Sequence, residues 1–184
     1  MSRSSFTKRI TRRTIESVRS YQETLDAMRL ELNITHPLHP HQMLRKALAV
    51  HDSKMFDEET LAASGPLGTG YLTFYDHRPF RVLNVMDPKK KIFETHTFGI
   101  GAPPKAYAMT RHIHSTALNF PLRILIQERP DGRANIVYDI PSSQIAGKAE
   151  NPGLAKAADT ADRKLDRFVH YIACGGPPPP PIVV

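Results

Sequence analysis

The sequence predicts a single domain of mixed α and β structure, and three features carry that reading. Leu122-Ile124-Ile126 and Ile136-Tyr138-Ile140 alternate with more polar residues on either side of Arg129-Pro130-Asp131-Gly132-Arg133, the pattern of a β-hairpin. Leu154, Ala158, Ala161, Leu165, Phe168 and Ile172 recur at helical spacing and form one apolar stripe. Ser20 and Glu23 stand three apart just ahead of Leu25, Met28 and Leu32, as in a capping box that opens an amphipathic helix. With 184 residues and 40% apolar content the chain can bury one sizeable core, and one domain over residues 1–174 is expected, followed by a Gly/Pro-rich tail.

Taken in order, residues 7–18 are rich in β-branched side chains but alternate poorly, which predicts a strand at a sheet edge. The capped helix should run from about Ser20 to Leu32. Residues 33–69 read as an elaboration of the core, with short helices around Met43–Leu48 and Asp57–Ala63. Gly65-Pro66-Leu67-Gly68 punctuates the chain before a strand at Tyr71–Tyr75. A second extended run, Phe80–Met86, ends at the turn signal Asp87-Pro88, and a third spans Lys91–Ile100, stopped by Gly99, Gly101 and Pro103-Pro104. Ala106, Met109, Ile113, Ala117 and Phe120 then predict one helix from Pro103 to Asn119.

The hairpin permits a finer prediction. A three-residue turn with Gly132 in the left-handed region sets Arg129 opposite Arg133, and counting back sets Arg123 opposite Asp139. One sheet face then carries Leu122, Ile124, Ile126, Ile136 and Tyr138, and the other Arg123, Leu125, Gln127, Asn135, Val137 and Asp139. Asn151-Pro152 opens the last helix, which the five prolines of residues 175–184 cannot continue. That tail has the composition of a polyproline spacer or a frayed terminus.

Composition narrows the functional classes. The single cysteine, Cys174, excludes an internal disulfide and a multi-cysteine metal site, and suits a reducing, cytoplasmic setting. No apolar run approaches the ~18 residues of a membrane helix, so no membrane association is expected. Arg3, Lys8, Arg9, Arg12 and Arg13 precede the first acid, Glu16, which is also the pattern of an organelle transit peptide. A net charge of +7 is compatible with nucleic acid, anionic lipid or an anionic small ligand. Only 8% of residues are aromatic and Trp is absent, so the stacking platform of single-strand binders is missing.

Gly99-Ile100-Gly101-Ala102-Pro103-Pro104-Lys105, Phe120-Pro121-Leu122-Arg123-Ile124-Leu125-Ile126, Asp131-Gly132-Arg133 and Tyr138-Asp139-Ile140-Pro141 follow one another in an order and spacing that resemble the domain-of-unknown-function family 302. Asp162-Arg163-Lys164-Leu165 would fill that family's Asp-x-x-Leu element on the final helix, while Ala102-Pro103 stands where Asn-Pro is usual. The resemblance covers residues 91–172 and, less fully, 7–32. It implies a fold similar to the TATA-box-binding-protein-like class: α+β, a curved antiparallel sheet with helices packed on one face, a β-α-β4-α core with a helical insertion, often dimeric. It implies no settled activity, and a shared fold is no warrant for DNA binding.

Candidate functional residues follow from chemistry. Glu94 and His96, two apart on a predicted strand, share a sheet face, and a carboxylate beside an imidazole can make a general base; a cross-strand polar pair is the competing reading. Arg123 is the candidate anion clamp, with an ion pair to Asp139 as the plainer alternative. Tyr138 and His112 are further ligand-binding candidates, although Tyr138 and Arg123 have opposite strand parity. His36-Pro37-Leu38-His39-Pro40-His41 reads as a solvated loop, because interleaved prolines hold it extended with no adjacent carboxylate or cysteine. No nucleophile elbow, phosphate-binding loop or zincin motif is present, and Gly99-Ile100-Gly101 fails the dinucleotide fingerprint. No metal or cofactor is expected. The leading expectation is a small organic or anionic ligand bound between the sheet and residues 33–69 on the helix-covered face, by a homodimeric binding protein or accessory metabolic enzyme. The alternative is an electrostatic nucleic-acid binder using residues 3–19 and 89–91.

Overall fold

The computed structural model describes residues 9–34, 45, 49, 53–78, 85–89, 93–145 and 150–176. Five strands form one antiparallel sheet: β1 (Arg12–Ser20), β2 (Leu72–His77), β3 (Thr95–Gly101), β4 (Leu122–Glu128) and β5 (Arg133–Asp139), in the spatial order β1-β5-β4-β3-β2. The helices are α1 (Tyr21–Glu31), α2 (Ser53–Ala63), α3 (Pro103–Thr110), α4 (Pro141–Gln144) and the long α5 (Pro152–Cys174), with a 3-10 helix at His114–Asn119. The chain is thus α+β, with α2 inserted between α1 and β2 as the helical insertion requires. β1 lies at a sheet edge, as its poor alternation predicts.

Local chemistry accounts for the elements. Ser20 closes β1 and caps α1: its hydroxyl accepts the Glu23 amide at 3.2 Å, and the Glu23 carboxylate accepts the Ser20 amide at 2.9 Å. Gly132 has φ of +79°, the left-handed conformation the three-residue turn needs, and the Arg129 amide donates to the Arg133 carbonyl at 2.8 Å. The register pairs Ile124 with Tyr138 and Ile126 with Ile136, which sets Arg123 across from Asp139 as the turn chemistry predicts. Asn151 accepts the Leu154 amide at 2.9 Å to start α5, and Gly175, at φ of +66°, ends it.

Alternation along β4 and β5 buries Leu122, Ile124, Ile126, Ala134, Ile136 and Tyr138 on one face, beneath α1 and α5. Leu25, Met28 and Leu32 of α1 and Leu165, Phe168, Val169 and Ile172 of α5 complete this core. The opposite face carries Arg123, Leu125, Gln127, Asn135, Val137 and Asp139, exposed or half-buried.

Several expectations are corrected. The helix expected over Pro103–Asn119 ends at Thr110, because Ile113 is extended at φ −142° and ψ 109°; its β-branched neighbours Thr110 and Thr116 offer little helical preference to resist the break. β3 begins at Thr95, leaving Glu94 outside it; it runs through Gly99 and ends at Gly101, ahead of Pro103-Pro104 as expected, while residues 91 and 92 lie outside the described residues. Val85 and Met86, the end of the expected Phe80–Met86 strand, are helical; residues 79–84 lie outside the described residues. So do residues 1–8, the His36–His41 run, residues 177–184 and, except for Arg45 and Ala49, the helix expected around Met43–Leu48.

Candidate functional site

The strongest candidate is a row of residues crossing the face that α1 and α5 leave uncovered. Tyr75 of β2 faces Gly99 of β3, Gly99 faces Arg123 of β4, Arg123 stands across from Asp139 of β5, and Asp139 faces Arg12 of β1. Gly99 is essential to this arrangement, since a β-carbon there would overlap the Tyr75 ring. The ring therefore lies across β3 toward Arg123.

A pocket of about 260 Å3 opens beside this row, lined by Tyr75, Phe120, Pro121, Arg123, Asp139 and Gln144 among others. The 3-10 helix delivers Phe120 to it, and α4 delivers Gln144. Its electrostatics are asymmetric. Arg12 donates to both oxygens of Asp139, from Nε at 2.7 Å and Nη2 at 3.2 Å, a side-on bidentate pair that occupies the carboxylate. Asp139 and its hydrogen bond hold the Arg12 guanidinium above its ordinary range. The pairing of Arg123 with Asp139 therefore does not form, and among the described residues Arg123 has no ion-pair partner. The pocket thus presents one uncompensated cation beside two aromatic rings.

The other predicted residues lie elsewhere. His96 is buried on the helix-covered face at 2% exposure, stacked on Phe98 with ring centroids 4.9 Å apart at 18°. Its Nε2 contacts Oδ1 of Asp76, whose other oxygen, Oδ2, lies 3.8 Å from Nε of Arg29. No hydrogen bond or ion pair joins His96 to Glu94 among the described residues; Asp76 takes the place expected for that carboxylate. Burial pushes the His96 imidazole below its ordinary range, against the opposing effect of the hydrogen bond that the Asp76 carboxylate accepts. Nδ1 of His96 and the hydroxyl of Tyr21 are both buried without a hydrogen-bond partner among the described residues. Tyr21 is pushed up to about 12, first by burial and then by the charge of Glu94.

Tyr138 is also a core residue. Its hydroxyl donates to Oδ1 of Asp166 at 2.6 Å, and burial together with that carboxylate raises its pKa. His112 lies in the turn after α3, against Gly153 at the start of α5. The pocket therefore receives Arg123 alone of the expected set, and it opens on the uncovered face; its described lining includes no residue of 33–69. The helix-covered face, where the ligand was expected, is filled instead by side chains of α1 and α5. Tyr75, Phe120 and Gln144 escaped sequence reasoning, although a glycine inside a strand, Gly99, is the kind of signal that marks a close approach.

Comparison with known proteins settles the lineage. The sequence profile of the family described as Domain of unknown function DUF302 matches residues 78–172. The chain belongs to the DUF302 family. A solved structure of an uncharacterised conserved DUF302 protein from Bacillus stearothermophilus is similar in fold, with a TM-score of 0.55 and 12% identity, over 86% of this chain and 94% of that one. No curated protein matches the chain. Within the DUF302 match lie Gly99, Arg123, Asp139 and His96, whereas Tyr75, Asp76 and Arg12 precede it. The DUF302 segment thus supplies the centre of the open-face row, and β1 and β2 supply its two ends.

Proposed function

We propose that this DUF302 chain binds a small organic anion in the open-face pocket, with Arg123 meeting the negative charge. The observation that carries this reading is the division of labour around Asp139: Arg12 satisfies the carboxylate, so Arg123 lines the pocket with its charge uncompensated. Guanidinium groups bind carboxylate and phosphate oxygens two at a time, and Tyr75 and Phe120 offer apolar surface for the remainder of a ligand. At about 260 Å3 the pocket falls just under the ~300 Å3 where drug-sized sites begin, which suits a small metabolite. Binding without catalysis is the reading favoured, because no imidazole or unengaged carboxylate lines the pocket among the described residues.

The test is a thermal-shift screen of carboxylates, sulfonates and phosphates on the purified protein, repeated with Arg123→Ala. A ligand specific to the folded state raises the melting temperature by mass action. A shift abolished by Arg123→Ala supports the reading; a broad panel without a shift, or one indifferent to that substitution, defeats it.

A homodimer in a reducing cytoplasm is the setting that fits best. Both ends of the sheet are strand edges, and edges invite pairing between copies. The one cysteine is exposed and unpaired, and among the described residues no helix is long and apolar enough to cross a membrane. Light scattering should return twice the chain mass of 20.7 kDa; a mass that stays at the monomer value at every concentration rules the dimer out.

A further inference from the structure

Two aromatic side chains line the open-face pocket, and the fold fixes both. The Tyr75 ring lies across Gly99, in the space a β-carbon would take, and its companion along β2 is His77, with ring centroids 5.2 Å apart at 48°. Phe120 closes the 3-10 helix, its amide donating to the Ala117 carbonyl at 3.1 Å, and its side chain packs against both the main core and the smaller cluster of Met109 and Leu154. Pro121 and Leu118 extend the apolar lining. Leu118 is 89% exposed, more than any other large apolar side chain among the described residues. Apolar surface gathered beside a cavity and left uncovered marks a place where a ligand makes contact.

Charge sets a second limit on what fits. Arg123 is the only cation in the described lining, and Asp139, the carboxylate beside it, is neutralised by Arg12. One negative charge on a ligand therefore exhausts the pocket's positive charge. A second would be desolvated next to Asp139 with nothing to pair with, so the site selects monoanions over dianions. The fixed rings decide between a flat ligand and a flexible one. They lose little freedom on binding, a rigid flat ligand loses little of its own, and paired aromatic rings attract beyond the area they bury.

The geometry points to an aromatic monocarboxylate as the ligand of this pocket, an inference that rests on the anion reading above and narrows it. The carboxylate pairs through both oxygens with the Arg123 guanidinium, and the ring lies against Tyr75 and Phe120. Binding is reversible and makes no covalent bond.

The experiment titrates the full-length protein by calorimetry with four compounds. Benzoate is the probe; cyclohexanecarboxylate keeps its charge without the π system, terephthalate adds a second carboxylate to the same ring, and benzyl alcohol keeps the ring without the charge. Benzoate should bind about fivefold more tightly than cyclohexanecarboxylate, the middle of the range that ring pairing supplies. Terephthalate should bind more weakly than benzoate, and benzyl alcohol should give no heat. In Tyr75→Leu the preference for benzoate over cyclohexanecarboxylate should shrink while Arg123-dependent binding of both persists; the ratio of the two affinities is insensitive to a general loss of stability. With the unaltered protein, proton NMR should show the benzoate ring signals moving upfield as it binds, from the ring currents of Tyr75 and Phe120. Equal affinity for benzoate and cyclohexanecarboxylate, tighter binding of terephthalate, or unmoved ring signals in bound benzoate overturns the inference and leaves the anion site at Arg123 standing. Failure of every carboxylate to bind in an Arg123-dependent way removes the anion site itself.

Discussion

Asp139 gives both of its carboxylate oxygens to Arg12, at 2.7 and 3.2 Å, although the strand register sets Arg123 across from it on the neighbouring strand. Arg12 therefore controls the charge that Arg123 offers the pocket without lining the pocket itself. Removing Arg12 should release Asp139 to pair with Arg123. Arg12→Ala is expected to weaken anion binding by about fivefold, the equivalent of an exposed ion pair worth ~1 kcal/mol. The double variant Arg12→Ala with Asp139→Asn should restore the affinity; calorimetry on both proteins checks this, and an Arg12→Ala protein that binds normally contradicts it.

Gly99 and Tyr75 should behave as one unit. Gly99→Ala pushes a methyl group into the Tyr75 ring and should destabilise the fold by about 1–3 kcal/mol, the usual range for overpacking. Removing the ring first, with Tyr75→Ala, should cut that penalty to well under half. Urea titrations of the four proteins of this cycle measure the coupling, and strictly additive effects would show that the ring and the glycine are independent.

His96 predicts a definite pH dependence. Its folded pKa lies below the ordinary 6.5, so the unfolded chain takes up a proton that the folded chain declines as pH falls through 6.5. The contribution is full above that value and is lost below it, down to the folded pKa. Unfolding free energy should accordingly decline between pH 7.5 and 5.5, before most carboxylates titrate. In His96→Gln the slope over this window should be shallower, whatever the absolute stability of the variant; an unchanged slope assigns the dependence to other groups.

Tyr138→Phe tests the separation of core from site. It deletes the 2.6 Å hydrogen bond to Asp166, whose carboxylate burial would raise but which the bonds from Tyr138 and Arg13 hold below the ordinary range. Hydrogen bonds to charged groups contribute about 1.5–3 kcal/mol, and Arg13 still holds Asp166, so a loss near the lower figure is expected. Anion affinity should not change. Reduced affinity in a variant of normal structure would return Tyr138 to the binding surface.

How much of this was readable in advance depended on the range of the interactions. The β4–β5 register and the box at Ser20 were legible because both are decided within a few residues, by Gly132 in a left-handed turn and by a hydroxyl and a carboxylate three positions apart. Arg123 was legible as a candidate from its guanidinium chemistry, although strand parity set it on the face opposite to the one expected to hold the ligand. Its release from Asp139 was not, since Arg12 arrives from the far end of the sequence to pair with β5. Asp76 was hidden as the partner of His96 for a like reason: β2 meets β3 across an irregular register with a shift between Thr73 and Tyr75, which no alternation pattern foretells. The apolar face was read correctly and its use was not, because alternation tells which residues are covered and not whether a helix or a ligand covers them.

The doubled role of Ser20 has a practical side. Strand becomes helix at that residue with no intervening loop, and the Tyr21 amide is also tied to the Gly132 carbonyl at 2.9 Å, so edge strand, helix and hairpin turn meet at one rivet. A residue inserted there would rotate every following side chain of α1 by ~100° about its axis and lift Leu25 and Met28 off the sheet. An epitope or reporter grafted at Ser20 should therefore unfold the protein, and one grafted between Asp131 and Gly132 would strain the same junction from the turn side, because the Gly132 carbonyl is one of its members.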